Sequence, residues 1–133
     1  MIELNEKVEY WLDLADYDIV SAKVMLHGSR YLYVGFMCHQ TIEKALKGIV
    51  ARDCIGNEIP PKIHDLQKLA EKARLFAKMS EDQKEVLRTL NPLNIEARYP
   101  EYKNRIAVTL TDEICQALIA ETEGLLYWIK EQL

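Results

Sequence analysis

Four polar residues in the stretch Tyr33–Gly48 could do chemistry, because they recur at the three- and four-residue spacing that places side chains on one helix face. They are Gln40, Glu43, Lys44 and Lys47. Amide and ammonium groups that converge on one face offer donors to a phosphate. Gln40, Lys44 and Lys47 are therefore candidate ligand-binding residues.

Asp18 supports a second interpretation of this polar face. It falls on or beside the packed face of the first predicted helix, so its carboxylate needs a partner such as Lys44 or Gln40. A polar network of Asp18, Gln40, Glu43 and Lys44 would fix the register of two helices instead of binding a ligand. The sequence leaves the structural network and the ligand site open as alternatives.

The histidines add a possible acid–base group. His64 stands directly before a predicted helix, where it could cap or pack, or could act as a general base. His39 and Glu43 lie four residues apart and could share a metal ion, but no further ligand follows at a suitable spacing. The sequence therefore predicts no metal site, and it predicts no cofactor.

The segment from residue 98 to residue 105 combines positive charge with aromatic rings. Arg98 and Tyr99 begin it, and that composition could hold single-stranded RNA through phosphate contacts and base stacking. Alternatively, the tyrosines pack on the fold and an arginine pairs with an acidic residue of the first helix. Arg98 and Tyr99 are therefore further candidate ligand-binding residues.

Composition limits the class of protein. The 133 residues, 49% hydrophobic and 29% charged, suit one domain over residues 1–133. The net charge of -4 gives no overall attraction to nucleic acid, so RNA binding would need a local basic patch. No signal-peptide core and no apolar run of about 18 residues occurs, which predicts a cytoplasmic protein with no membrane contact. Three widely spaced cysteines favour free thiols.

Apolar residues at helical spacing, without a convincing strand, predict an all-α fold, an antiparallel up-and-down bundle of four to five helices. Asn5 is expected to cap the first helix and Gly28 to stop it. Ser29 is expected to cap a second helix running from about Arg30 to Cys54. This helix carries apolar residues on more sides than one core requires, which predicts a homodimer.

The second half of the chain carries further helix signals. Ser80 and Gln83 form a capping box for a helix that Pro92 is expected to end, with a loop from Leu93 onward. Thr111 is expected to cap the last helix. The residues of that helix expected to face inward are Ile114, Leu118, Leu125 and Trp128.

Taken together, four segments resemble the HEPN family, the helical domains of prokaryotic toxin–antitoxin pairs and of larger RNA-processing proteins. The matching residues are Trp11, Ala15, Asp18 and Ala22; Tyr33, Phe36, Gln40, Glu43, Lys44, Ala45 and Lys47; His64, Asp65 and Leu66; and Ala97, Arg98, Tyr99 and Pro100. The resemblance implies a helical bundle that forms a homodimer. It also implies a small nucleotidyltransferase as the partner protein.

Many proteins of this family are metal-independent ribonucleases with an Arg, four to six residues and then a His. Here eight residues separate Arg30 from His39, and no His follows Arg98. The resemblance therefore implies a protein that binds a partner, a nucleotide or RNA within a toxin–antitoxin-type module, more than an enzyme. Two alternatives stay open: a ribonuclease with a displaced site around Arg98 and His64, and a structural dimeric adaptor.

Overall fold

The chain folds into a helical bundle, described by a computed structural model for residues 2–96 and 109–133. Within these ranges the α-helices are α1 (Ile2–His27), α2 (Tyr31–Ala51), α3 (Leu66–Lys72), α4 (Glu81–Glu96) and α5 (Asp112–Glu131), with a 3-10 turn at Phe76–Lys78. No strand occurs in the ranges given above, and the predicted all-α bundle is confirmed. None of the described helices combines the length and the apolar character needed to cross a membrane.

α2 is the central helix, because it contacts each of the other four α-helices. Its buried residues surround it on several sides and include Val34, Ile42, Leu46 and Ile49. The apolar sides that the sequence assigned to a second subunit are thus covered by helices of the same chain. The apolar character of α2 therefore gives no argument for a homodimer.

α1 lies antiparallel to α2, as the short connection between them requires. Lys44 Nζ lies 3.4 Å from Asp18 Oδ2, whereas Lys47, further along α2, lies 5.8 Å from the Trp11 ring centre, earlier in α1. A Cβ atom on Gly48 would lie only 3.3 Å from the Cβ atom of Trp11. Glycine at this position therefore lets the two helices approach closely.

α5 packs against both α1 and α2. The ion pairs Lys130–Asp16 and Lys23–Glu123, each 2.6 Å long, show that α5 is antiparallel to α1 and hence parallel to α2.

Cys38 and Cys115 are buried free thiols, and Cys54 is a half-buried free thiol. Burial raises the pKa of Cys38 to about 12.

Three helix boundaries differ from the sequence predictions. α1 begins at Ile2, so Asn5 lies inside the helix, and α2 ends at Ala51. Pro92 lies inside α4, which continues to Glu96, so the loop predicted from residue 93 is wrong for residues 93–96. Although proline removes one helical hydrogen bond, the buried side chains of Leu93 and Asn94 pack the last turn against α2.

Ser29 ends α1 and does not cap α2. Its φ of 58° is left-handed, its N–H donates to Leu26 O at 3.0 Å, and the N–H of Arg30 donates to Met25 O at 2.7 Å. These two bonds form a Schellman motif, which usually places glycine where Ser29 stands. Since Ser29 serves the end of α1, α2 begins without a side-chain cap.

The predicted caps of the later helices are confirmed. Ser80 N–H donates to Gln83 Oε1 at 2.9 Å, and Gln83 N–H donates to Ser80 Oγ at 3.1 Å. Thr111 Oγ1 accepts a hydrogen bond from the N–H of Ile114. The inward position predicted for Ile114 is wrong, because it lies 48% exposed in the first turn while Cys115 occupies the buried position beside it.

Candidate functional site

The Glu43 carboxylate lies at the centre of a buried polar cluster. Its side chain is only 3% exposed. Lys47 Nζ donates to Glu43 Oε2 at 2.9 Å, and His64 Nδ1 lies 3.0 Å from Oε1. The partners lower the pKa of Glu43 although burial alone would raise it. Glu43 is therefore an ionised buried carboxylate with a cation on one side and an imidazole on the other.

His64 connects this buried carboxylate to an open cleft. An imidazole nitrogen facing a carboxylate carries the proton and donates, so Nδ1–H bonds Glu43 and Nε2 remains available. The His64 side chain is 50% exposed and borders a cleft of about 430 Å³. The cleft is lined by His64, Asp65, Arg88, Asn91, Pro92 and Asn94.

His39 fixes the backbone beneath His64. Its Nε2 donates to the carbonyl oxygen of His64 at 3.1 Å, so the neutral ring has no proton on Nδ1. Nδ1 lies 3.6 Å from Glu43 Oε1 and has no hydrogen-bond partner. Burial lowers the pKa of His39 to about 4, which outweighs the nearby Glu43 carboxylate. At neutral pH His39 and Glu43 are therefore not an ion pair.

A second polar chain lies beside the first. Lys44 Nζ lies 3.4 Å from Asp18 Oδ2 and donates to Gln40 Oε1 at 3.0 Å, and Gln40 Nε2 donates to Asn94 Oδ1 at 2.9 Å. Burial raises the pKa of Asp18, and Lys44 opposes that shift. The contact expected between Asp18 and Lys44 is thus present, and Gln40 extends it to the buried Asn94 of α4.

The residues that the sequence placed on one polar face belong to two separate sets of hydrogen bonds. Glu43 and Lys47 bond each other, and Gln40 and Lys44 belong to the separate chain with Asp18. The Lys47 side chain is only 8% exposed, because its ammonium group bonds Glu43 and does not reach the surface. Of the remaining candidates, Arg98 and Tyr99 lie outside the described residues.

Asp65 begins α3, so the helix does not use His64 as its cap. Asp65 Oδ1 accepts a hydrogen bond from the N–H of Lys68 at 3.0 Å. Asn91 Oδ1 accepts from the N–H of Leu66 at 2.9 Å, which satisfies a second amide of the first turn. The imidazole of His64 is therefore not needed for α3, and its side chain is left to Glu43 and the cleft.

Sequence reasoning missed the residues that α4 contributes to the cleft. Arg88, Asn91 and Asn94 recur every three residues and reach the same side of α4. That spacing indicates a shared helix face. The prediction that Pro92 ends the helix left Asn94 outside it, so the shared face was not recognised. The guanidinium group of Arg88 donates to Glu85 at 2.8 Å and is half-exposed, so it borders the cleft as a paired cation.

The described residues hold no cluster of three or more His, Cys, Asp or Glu side chains that could bind a metal ion. The side chains that line the cleft offer hydrogen bonding and proton transfer by His64, positive charge from Arg88 and negative charge from Asp65. A ligand with phosphate oxygens fits His64 and Arg88, because guanidinium N–H groups donate to anionic oxygens, and so does His64 Nε2 when it is protonated while Nδ1–H bonds Glu43.

Comparisons with known proteins concern the whole bundle. A family model described as HEPN domain matches residues 8–132. Among solved structures, the chain is similar to the protein TT1696 from Thermus thermophilus, with a TM-score of 0.79, 21% sequence identity, and coverage of 96% of this chain and 98% of that chain. At this identity the likeness concerns the fold alone. No curated protein matches the chain.

The burial of neutral His39 predicts a loss of stability in acid. Because folding lowers the pKa of His39, the unfolded chain binds a proton from about pH 6.5 downward while the folded chain does not until about pH 4. The free energy of unfolding is expected to fall by about 2 kcal/mol between about pH 7 and about pH 5. Urea unfolding at the two pH values measures this change.

The compared variants are His39→Gln and Lys72→Gln, the second at an exposed position in the last turn of α3. His39→Gln should lose most of the pH dependence even if it is less stable at neutral pH, and Lys72→Gln should keep it. An unchanged pH dependence in His39→Gln would contradict the assignment to the buried ring.

Proposed function

The chain belongs to the HEPN domain family, and we propose that it acts by binding a nucleotide or a partner protein, with the cleft beside His64 as the nucleotide site. Residues 1–133 then form one HEPN domain. The protein is a component of a HEPN/nucleotidyltransferase module of the toxin–antitoxin type and works as a homodimer in the cytoplasm.

The hydrogen bond between Glu43 and His64 carries this proposal. Burying a carboxylate costs several kcal/mol, and Lys47 already supplies the opposite charge. His64 is half-exposed and gains little from packing, and Asp65 and Asn91 provide the caps of α3. A buried carboxylate that orients an exposed imidazole is typical of a residue that contacts a ligand.

The cleft offers donors from two segments, the residues before α3 and helix α4. His64 Nε2, when protonated, and the Arg88 guanidinium group can both donate to phosphate oxygens, and Arg88 can exchange its exposed pairing with Glu85 for a ligand. Arg98 and Tyr99 are proposed as further contacts to the phosphate and the base. Gln40 and Lys44 support the cleft through Asn94.

The replacement His64→Ala tests the nucleotide site. ATP and a short single-stranded RNA are the probes, and binding to the full chain is measured by calorimetry. His64→Ala should weaken binding about tenfold or more, because a hydrogen bond to a charged group contributes about 1.5–3 kcal/mol. Gln116→Ala, a control at an exposed position of α5 that does not line the cleft, should bind as the wild type does. Equal loss in both variants would remove the cleft from the proposal.

The partner protein requires a separate test. A nucleotidyltransferase encoded next to this chain should co-purify with it after co-expression, in an amount that does not depend on His64. Wild type and His64→Ala are compared because the two proposals concern different surfaces. The absence of such a neighbouring gene, or its failure to co-purify, would contradict the module while leaving the nucleotide site to be judged by calorimetry.

A ribonuclease is the second candidate function, and the same Glu43–His64 hydrogen bond favours it. A carboxylate that holds Nδ1–H leaves Nε2 able to accept a proton from a 2′-hydroxyl group. Arg98 would supply the charge that stabilises the phosphate. The site would then be displaced from the Arg and His pair on one short segment that many proteins of the family use.

Single-turnover assays with RNA and a chelator decide between binding and cleavage. We expect the purified chain not to cleave RNA efficiently at neutral pH, because no His follows Arg98 in the sequence. Cleavage that disappears in both His64→Ala and Arg98→Ala, with each variant folded, would establish the ribonuclease instead. If neither ligand binding nor cleavage depends on His64, the structural adaptor replaces both.

A further inference from the structure

A stripe of exposed apolar side chains runs along α1 on the face turned away from α2. Tyr17, Val20 and Val24 are 74%, 58% and 63% exposed, although each is large and apolar. Their spacings of three and four residues place them on one helix face. A groove of about 290 Å³ lies along them, lined by Tyr17, Val20, Ser21, Val24 and Met25.

Tyr127 of α5 extends this stripe sideways. It is 62% exposed and lies between Glu123 and Lys130, the residues of α5 that form ion pairs with α1. Because those pairs hold Lys23 and Asp16 on either side of Val20, Tyr127 lies at about the level of Val20 along the two helices. The apolar surface therefore spans both helices, and we call it the α1 stripe: Tyr17, Val20, Val24 and Tyr127.

The charges along α1 change sign from one end of the stripe to the other. Glu6, Glu9 and Asp13 are exposed before it, and His27 and Arg30 are exposed after it. Asp13 and His27 lie seven residues before and after Val20, so they share its face at about 10 Å to either side. Within the described ranges, neither side chain forms a hydrogen bond or an ion pair.

We propose that the α1 stripe binds the α1 stripe of a second copy of this chain, antiparallel, with the two-fold axis at Val20. This arrangement places Asp13 of each copy opposite His27 of the other and Tyr17 near Val24. A parallel arrangement would place acidic ends together and basic ends together. The charge pattern is thus self-complementary only in the antiparallel direction, and self-complementarity is what an interface between identical copies requires.

The inference rests on the homodimer of the proposed function and names its surface. The cleft beside His64 is formed by α4 and the segment before α3, so the α1 stripe and the nucleotide site are separate surfaces. Contact through one helix and the edge of another falls at the small end of specific interfaces. The dimer is therefore expected to dissociate at about tens of micromolar protein.

Disulfide cross-linking tests the axis and the direction together. Val20→Cys should form a covalent dimer under mild oxidation, because each Val20 faces its equivalent at the axis. Tyr17→Cys and Val24→Cys should cross-link efficiently only when the two variants are mixed, since each alone lies about 10 Å along the helix from its equivalent. Wild type and Thr89→Cys, exposed on α4, are the background controls.

Three further variants separate the surface from the dimer itself. Val20→Glu, at an exposed position, should leave the chain folded and monomeric by light scattering at about hundreds of micromolar, where the wild type is mostly dimeric. Asp13→Lys should weaken the dimer about tenfold, and Asp13→Lys combined with His27→Glu should restore it. A dimer that persists in Val20→Glu and does not cross-link through residue 20 would overturn the α1 stripe alone. A wild type that is monomeric throughout would overturn the homodimer as well.

Discussion

The buried charge of Glu43 is the constraint on which the polar half of this fold depends. An ionised carboxylate with 3% of its side chain exposed cannot remain unpaired, so Lys47 and His64 must both be held against it. His39, one helical turn away on α2, fixes the carbonyl oxygen of His64 at 3.1 Å. Two side chains of one helix thereby hold both the ring and the backbone of His64, and the segment that precedes α3 is fastened to the centre of the bundle.

The sequence predicts contacts that depend on helical periodicity and misses contacts between distant segments. Asp18 and Lys44 could be paired because both lie on regular faces of adjacent antiparallel helices. Glu43 and His64 are separated by the irregular residues between α2 and α3, whose path no periodic pattern predicts. The contact between Asp18 and Lys44 was therefore predictable from the sequence, and the hydrogen bond between Glu43 and His64 was not.

The errors in helix boundaries have the same origin. Pro92 and Ser29 were interpreted by local preference, and in both cases packing decided otherwise. The last turn of α4 is held by Leu93 and Asn94 against α2, which compensates for the hydrogen bond that Pro92 cannot make. Ser29 takes the left-handed position because two backbone bonds close the end of α1. All-α class and helix order, by contrast, depend on hydrophobic spacing summed over many residues, and these were predictable.

The buried thiols of Cys38 and Cys115 have a chemical consequence for the motions of the bundle. Only a thiolate reacts readily with an alkylating reagent, and burial raises the pKa of Cys38 to about 12 and that of Cys115 to about 11. Both side chains are fully shielded from solvent, so a reagent reaches them when α2 and α5 move apart. The rate at which these two cysteines are alkylated therefore reports how often the core opens, and its measurement needs no introduced label.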